Sequence, residues 1–291
     1  MENNFNYRYV AFIDVLGFSN LISQGQQEFE SKFKSYIRII RETIEAVDPN
    51  IKYTVFSDSI VILTPDRKRD SLTNLVLIVS VISYELLVNQ YLPTKGSIAY
   101  GRISVLSKGD DNILAGTPII EAYRYEQFQN WIGSIICPSV LKQNPELSEI
   151  TELANINHLS NPDTISRILD NKTLFVSLAE YSQIPFKDQD EVVSDYDGLA
   201  IVPHKLNCTH PDHLQEDLQT YSSILKKLLL QAQNPQIQKK YRNTEAFVGI
   251  IAKKARDIWA DHHWRNTAWE TKETKAPNGN TTRTQKPPER K

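Results

Sequence analysis

The sequence predicts an α+β fold, a layered sheet followed by a mostly helical extension, and three observations point there. Short runs of β-branched and aromatic residues alternate with apolar residues at three-and-four spacing, so strands and helices interleave. Two strand runs are separated by only two residues, which sets a hairpin inside the alternation. Beyond about residue 144 the strand signal thins and helical spacing takes over.

Residues 7–13, Tyr-Arg-Tyr-Val-Ala-Phe-Ile, read as a strand that stops at Asp14, and Asp14-Val15-Leu16-Gly17-Phe18-Ser19 reads as a loop. Phe29, Phe33, Ile37, Ile40, Ile44 and Val47 mark an amphipathic helix, ended by Asp48-Pro49-Asn50. Residues 51–56 and 59–63 form the expected hairpin over Ser57-Asp58, although that turn lacks the favoured glycine. An apolar helix follows over 71–90, then a strand over 95–105 interrupted by Gly101, and a turn at Gly109-Asp110-Asp111-Asn112. Gly116-Thr117-Pro118 opens a helix reaching about Asn130, and Trp131 to Cys137 is a strand closed by Pro138. The order β-α-β-β-α-β-α-β is that of a ferredoxin-like core with an extra strand.

The expected organisation is a core over 1–144, an extension over 145–270 packing on it, and a disordered basic tail over 271–291. Within the extension, 174–177 and 198–202 read as strands. Leu214, Leu218, Tyr221, Leu225 and Leu228 mark one helix there, and Phe247, Ile250, Ile251, Ala255, Ile258 and Trp259 another. The tail holds six basic and two acidic residues and no apolar pattern.

A formal net charge of -2 argues against a general nucleic-acid binder. Cys137 and Cys208 are too few for a disulfide framework. Met1-Glu2-Asn3-Asn4 offers no basic or apolar leader, so a cytoplasmic protein is expected. Leu72 to Val88 is apolar enough to invite comparison with a membrane span, but Asn74, Ser80, Ser83 and Glu85 are costly in hydrocarbon. A buried core or interface helix is the expectation, with no membrane span.

Two aspartates occupy comparable places. Asp14 ends an apolar strand before a glycine-containing loop, and Asp58 sits at the hairpin tip. Each alone also reads as a helix cap or a turn former. If the first strand pairs beside the hairpin, both carboxylates leave the same sheet edge. Divalent metal is the usual remedy for their repulsion, with phosphate oxygens completing the coordination. The loop Val15-Leu16-Gly17-Phe18 would then present backbone N–H groups to a triphosphate.

Phe12-Ile13-Asp14-Val15-Leu16-Gly17-Phe18 resembles the first metal-aspartate motif of class III nucleotidyl cyclases, and Phe56-Ser57-Asp58-Ser59 resembles the second. Lys95-Gly96-Ser97-Ile98-Ala99-Tyr100-Gly101 resembles their following strand. Gly116, Ala122, Arg124 and Glu126 fall at the spacing of that family's interfacial helix. The likeness covers about residues 7–141. Departures are informative. Thr54 and Ile113 stand where purine-reading residues would be, and Ile120 replaces the family's asparagine. Tyr53, Gln129-Asn130-Trp131-Ile132-Gly133 and Lys240-Tyr241-Arg242-Asn243-Thr244 resemble the pyrimidine nucleotide cyclases of bacterial Pycsar anti-phage systems.

The resemblance implies a homodimeric enzyme with active sites at the subunit interface, converting UTP, or second CTP, to the cyclic monophosphate and pyrophosphate. It implies divalent metal on Asp14, Val15 and Asp58, with manganese favoured over magnesium. Val15, Leu16, Gly17 and Phe18 would bind the phosphates, and Tyr53 and Thr54 the base. Tyr53 narrowing a single-ring pocket and Tyr53 as a strand core residue are both open. Arg124, supplied by the partner subunit, would stabilise charge on phosphorus; its rival role is that of a solvated helix arginine. Arg102 is a reserve for phosphate or interface contact. A separate effector activated by the cyclic nucleotide is also implied. The rival functions are an adenylyl or guanylyl cyclase, and a catalytically dead module for dimerisation or nucleotide sensing.

Other signals are weaker. His204, Cys208, His210 and His213 around Asp212 match no common zinc spacing and read as a polar surface loop. Trp259, His262, His263, Trp264 and Trp269 read as the packing face of a helix rather than a base-stacking platform. Cys137 reads as a buried strand residue.

Overall fold

The computed structural model describes residues 5–18, 25–108, 111–148, 179–187, 196–206 and 211–273. Its first strand, β1 (Phe5–Val15), is followed by α1 (Gln26–Val47), then β2 (Lys52–Phe56) and β3 (Ser59–Leu63) as the expected hairpin. Then come α2 (Arg69–Gln90), β4 (Thr94–Lys108) and β5 (Asp111–Gly116). Next are α3 (Thr117–Phe128), β6 (Gly133–Ile136) and α4 (Pro138–Gln143), with a 3-10 turn at Pro145–Ser148. The extension supplies β7 (Ala179–Ile184), β8 (Tyr196–Ile201), α5 (Pro211–Gln231) and α6 (Pro235–Glu273).

Strands run in the order β2-β3-β1-β4-β6-β8-β7, with β5 paired on β4 outside that path. The first four, with α1 and α2 on one face, are the ferredoxin-like arrangement. Two strands, β5 and β7, lie where the sequence reading placed none. β4 runs past Val105 to Lys108, and Asp111–Gly116 returns beside it as β5 instead of forming only a turn. Asp111 and Asn112, expected in the turn, are already paired in the β4–β5 ladder.

The hairpin turn holds Ser57 at φ 57, a left-handed conformation that costs a serine more than a glycine. Its geometry is imposed by the β2 and β3 ladders, where Phe56 faces Ser59.

The extension is more than a helical brace, because β8 pairs antiparallel with β6 and continues the sheet. Strand 198–202 of the sequence reading falls largely in β8; residues 149–178, which include the expected strand 174–177, and those beyond Glu273 lie outside the described residues.

Helix α2 is buried on nearly every side, which explains its unbroken apolar text. One side packs with β1, β3 and α1 through residues such as Leu75, Val79 and Ile82. Tyr84 and Leu87 face the second core, formed with Trp131, Ile135, Tyr221, Leu225 and Val248. Among the described residues it is the one helix long and apolar enough to cross a bilayer, and it is used inside the fold. Ser80 Oγ donates to the Val202 carbonyl at 2.6 Å and Tyr84 Oη to Asp217 Oδ1 at 3.0 Å, tying the extension to it.

Candidate active site

At the end of β1, residues from three strands share one row: Asp14 faces Ser59 on β3 and Lys95 on β4. Paired positions project to the same side of a sheet. Ile13 and Val15 point to the α1–α2 core, while Phe12 meets Tyr123 of α3 edge-on at 5.4 Å. Asp14 and Lys95 therefore lie on the α3 side. The Val15 N–H donates to the Asp58 carbonyl at 2.9 Å, which brings the hairpin tip against the end of β1. The two aspartates named from the sequence are gathered at one sheet end.

The loop beyond is anchored at both ends. The Leu16 N–H donates to the Pro93 carbonyl at 2.8 Å, and Gly17 takes φ 80, which glycine adopts without a Cβ penalty. Phe18 is buried in an aromatic nest with Phe29, Phe33 and Tyr36 of α1. Its ring is committed to the core, so only its backbone is available to a ligand. On β4, Gly96 permits a close approach: a Cβ there would stand 2.7 Å from Ser134 Oγ and 2.9 Å from the Phe12 carbonyl.

Beside Asp14 sits a buried ion pair between Lys95 and Glu126. Lys95 Nζ also donates to the Glu126 carbonyl at 3.1 Å, and Ser97 Oγ to that of Ala122 at 2.5 Å, clamping α3 to β4. Burial, then the negative charges of Glu126 and Asp58, raise Asp14 to about 6 against the opposing pull of Lys95 and Lys240. Lys187 and Lys240 feel the same neighbourhood. Burial and the Lys95 ammonium lower Lys187; burial, Lys95 and Lys187 lower Lys240 to about 8. The buried hydroxyl of Tyr36, unpaired among the described residues, is raised by burial and by Asp58 and Asp14.

The two sequence segments 129–133 and 240–244 meet. The Ile132 N–H donates to Thr244 Oγ1 at 2.7 Å, Asn243 Nδ2 donates to the Asn130 carbonyl at 2.6 Å, and Trp131 packs edge-on against Phe247 at 4.8 Å. Trp131 Nε1 donates to Gln129 Oε1 at 2.7 Å, and Gln129 Nε2 to the Gly96 carbonyl at 2.8 Å. This buried chain of bonds joins α6 to the strand carrying Lys95.

Other expected residues stand apart. Arg124 is exposed on α3, its guanidinium 6.0 Å from the Phe128 ring, and lies on the helix face away from Ala122 and Glu126. Ile120 is 61% exposed on that outer side. Tyr53 packs against the α1–α2 core, whereas Thr54 is exposed and faces Val61 on the other side. Arg102 is exposed, opposite Tyr7. Ile113 pairs with Leu106 in the β4–β5 ladder. Cys137 is buried, as expected.

His204 is buried rather than part of a surface loop, its ring edge-on to Tyr84 at 5.9 Å. Cys208 and His210 lie outside the described residues, as do the side chains of His213 and of the Trp259–Trp269 cluster on α6. Lys187 was not singled out from the sequence, because it lies 173 positions from Asp14 and no local motif marks it.

Among the described residues no three metal-ligating side chains form a ready-made cluster. Asp14 and Asp58 nevertheless supply hard oxygen donors, and the raised Asp14 marks a place where positive charge is favoured. A divalent cation fits these carboxylates when further oxygens come from backbone, water or substrate. A cleft of about 590 Å³ opens beside the loop that follows Asp14, walled by Leu16, Gly17, Pro93, Ile132, Asn234 and Lys240 among others.

No family model matches the chain, and no curated protein matches it. Solved structures do. The adenylyl cyclase CyaB from P. aeruginosa is 10% identical with a TM-score of 0.44, covering 71% of this chain and 99% of its own. A rhodopsin-guanylyl cyclase catalytic core with converted specificity, in complex with ATPalphaS, is 12% identical with a TM-score of 0.42, over 69% and 97%. A guanylyl cyclase is 12% identical with a TM-score of 0.41, over 70% and 95%.

Proposed function

We propose that the chain is a metal-dependent nucleotidyl cyclase that converts a pyrimidine ribonucleoside triphosphate, UTP ahead of CTP, to its cyclic monophosphate and pyrophosphate. The observation that carries the reading is the meeting of Asp14 and Asp58 at one sheet end, beside a glycine loop that opens on a cleft. The order of motifs along residues 7–141 supports the reaction class. Thr54 and Ile113, neither able to read a purine as that family does, support the pyrimidine preference.

The reaction is an internal phosphoryl transfer. The ribose 3′-hydroxyl gives up its proton to solvent water and attacks the α-phosphorus; the bond from that phosphorus to the β-bridging oxygen breaks, and pyrophosphate leaves. Positioning and charge stabilisation supply the rate. Divalent metal, manganese ahead of magnesium, supplies neutralisation of phosphate charge and polarisation of the 3′-oxygen, held by Asp14, Asp58 and the Val15 backbone. Leu16, Gly17 and the backbone of Phe18 orient the triphosphate through N–H groups. The Lys95–Glu126 pair fixes α3 on β4 and so the height of Asp14. Arg124, exposed and turned away from its own Asp14, is suited to reach the phosphorus of a partner subunit's site in a homodimer. The setting is the cytoplasm, and the cyclic product would act on a separate effector in anti-phage defence.

Incubation with each of the four ribonucleoside triphosphates and manganese, followed by chromatography, tests this. Cyclic UMP or cyclic CMP as main product is expected. Cyclic AMP or cyclic GMP instead would remove the pyrimidine reading, and no cyclic product from any nucleotide would leave a non-catalytic module.

A further inference from the structure

The cleft is bounded on one side by Leu16 and Gly17, directly after Asp14, and on the other by the α5–α6 turn and the first turns of α6. Lys240 belongs to its wall. It stands one helical turn before Thr244, whose hydroxyl oxygen accepts from the Ile132 N–H at 2.7 Å, so the two share a face of α6. The buried bonds of Asn243 and the packing of Phe247 fix the same stretch. The backbone carrying Lys240 is held rigidly, and at a place reached only through long-range packing.

Around it Lys95 and Lys187 stand against Glu126 and Asp14, and in the cyclase reading Asp14 is given to the metal. Glu126 is already committed to Lys95. Lys187, set beside Phe186 and tethered by its own N–H to the Phe128 carbonyl at 2.7 Å, adds a second half-buried ammonium. Neither Lys187 nor Lys240 forms an ion pair among the described residues. Lys187 acts on Lys240, and a half-buried ammonium beside another cation gains when a multivalent anion comes to it. Gln231, Gln233 and Asn234 add amide donors to the same cleft.

We infer that Lys240 binds the terminal phosphates of the nucleotide from within the same chain, and that the cleft beside the Leu16–Gly17 loop receives the polyphosphate and then the pyrophosphate product. This rests on the cyclase reading for the identity of the substrate. The chemistry is that of a lysine point charge against phosphate oxygens, strengthened by partial withdrawal from water. It gives the extension a direct part in substrate binding.

The test is calorimetric titration of the full chain with pyrophosphate in the presence of manganese, beside steady-state kinetics with UTP. Lys240→Gln should weaken pyrophosphate binding at least tenfold and raise KM for UTP by a similar factor. Its affinity for the cyclic mononucleotide, which lacks a polyphosphate, should be unchanged. Lys240→Arg should keep pyrophosphate binding within a few-fold, and Lys239→Gln, on the exposed side of α6, should match the unaltered protein. Pyrophosphate binding by Lys240→Gln equal to that of the unaltered protein overturns the inference, as does an equal loss in Lys239→Gln. If Lys240→Gln unfolds, failure of Lys240→Arg to bind overturns it. Pyrophosphate binding that depends on Lys240 in a protein making no cyclic product would sink the cyclase reading and leave the subsite standing.

Discussion

Replacing Asp14 by asparagine should make the metal-free protein more stable at pH 8 while removing its activity. The folded-state pKa of Asp14, about 6, lies above its ordinary 3.8, so the folded protein holds this proton more tightly than the unfolded chain. The associated stabilisation is complete below about pH 4 and is lost as pH rises through 6. The full shift corresponds to about 3 kcal/mol at pH 8. Solvent screening at a partly exposed carboxylate reduces this to about 1–2 kcal/mol, or roughly 2–4 °C in melting temperature per kcal/mol. Urea denaturation with chelator present, at pH 8 and at pH 4.5, measures it. The variant should exceed the unaltered protein at pH 8, the gap should narrow at pH 4.5, and manganese should stabilise only the unaltered protein. A variant no more stable at pH 8, or a gap unchanged at the lower pH, would refute the assignment of an unbalanced carboxylate at the end of β1.

Lys95→Met should destabilise by about 3–5 kcal/mol, because it strands the buried Glu126 charge; adding Glu126→Leu should restore most of the loss in chemical denaturation. Asp58→Ala and Arg124→Ala should each abolish turnover with the dimer intact by light scattering. Mixing the two should restore activity if arginine and aspartate meet across subunits; a mixture as inactive as its parts would place Arg124 elsewhere. Thr244→Val leaves the buried Ile132 N–H without its acceptor and should cost about 1–3 kcal/mol in denaturation.

The aspartates were legible because each sits where an apolar strand breaks, and a break of that kind is written locally. The hairpin was legible for the same reason, two apolar runs two residues apart. β5 was not, since the Gly109–Asn112 turn signal hid a return strand whose pairing depends on how far β4 extends. Lys187 and Lys240 escaped assignment to the site because their positions come from β8 joining β6, from the Tyr125, Phe186 and Tyr196 rings, and from the Thr244 clasp. Long-range packing of this sort leaves no periodic trace. Phe18 shows the reverse case: the motif was legible, but only the structure shows that its ring belongs to the α1 aromatic nest.

The shared sheet also bears on how the protein can be dissected. Cutting the chain at residue 144 would strip β8 from β6, leaving the backbone groups that Ser134 to Ile136 turn toward β8 unsatisfied along a raw strand edge. It would bare Tyr84 and Leu87 of α2, whose partners are Tyr221, Leu225 and Val248. A shortened fragment carrying both aspartates should therefore self-associate through that edge. The two aspartates in the first half and the clasp in the second are inherited as one cooperative unit, and gene fusions or domain swaps must move them together.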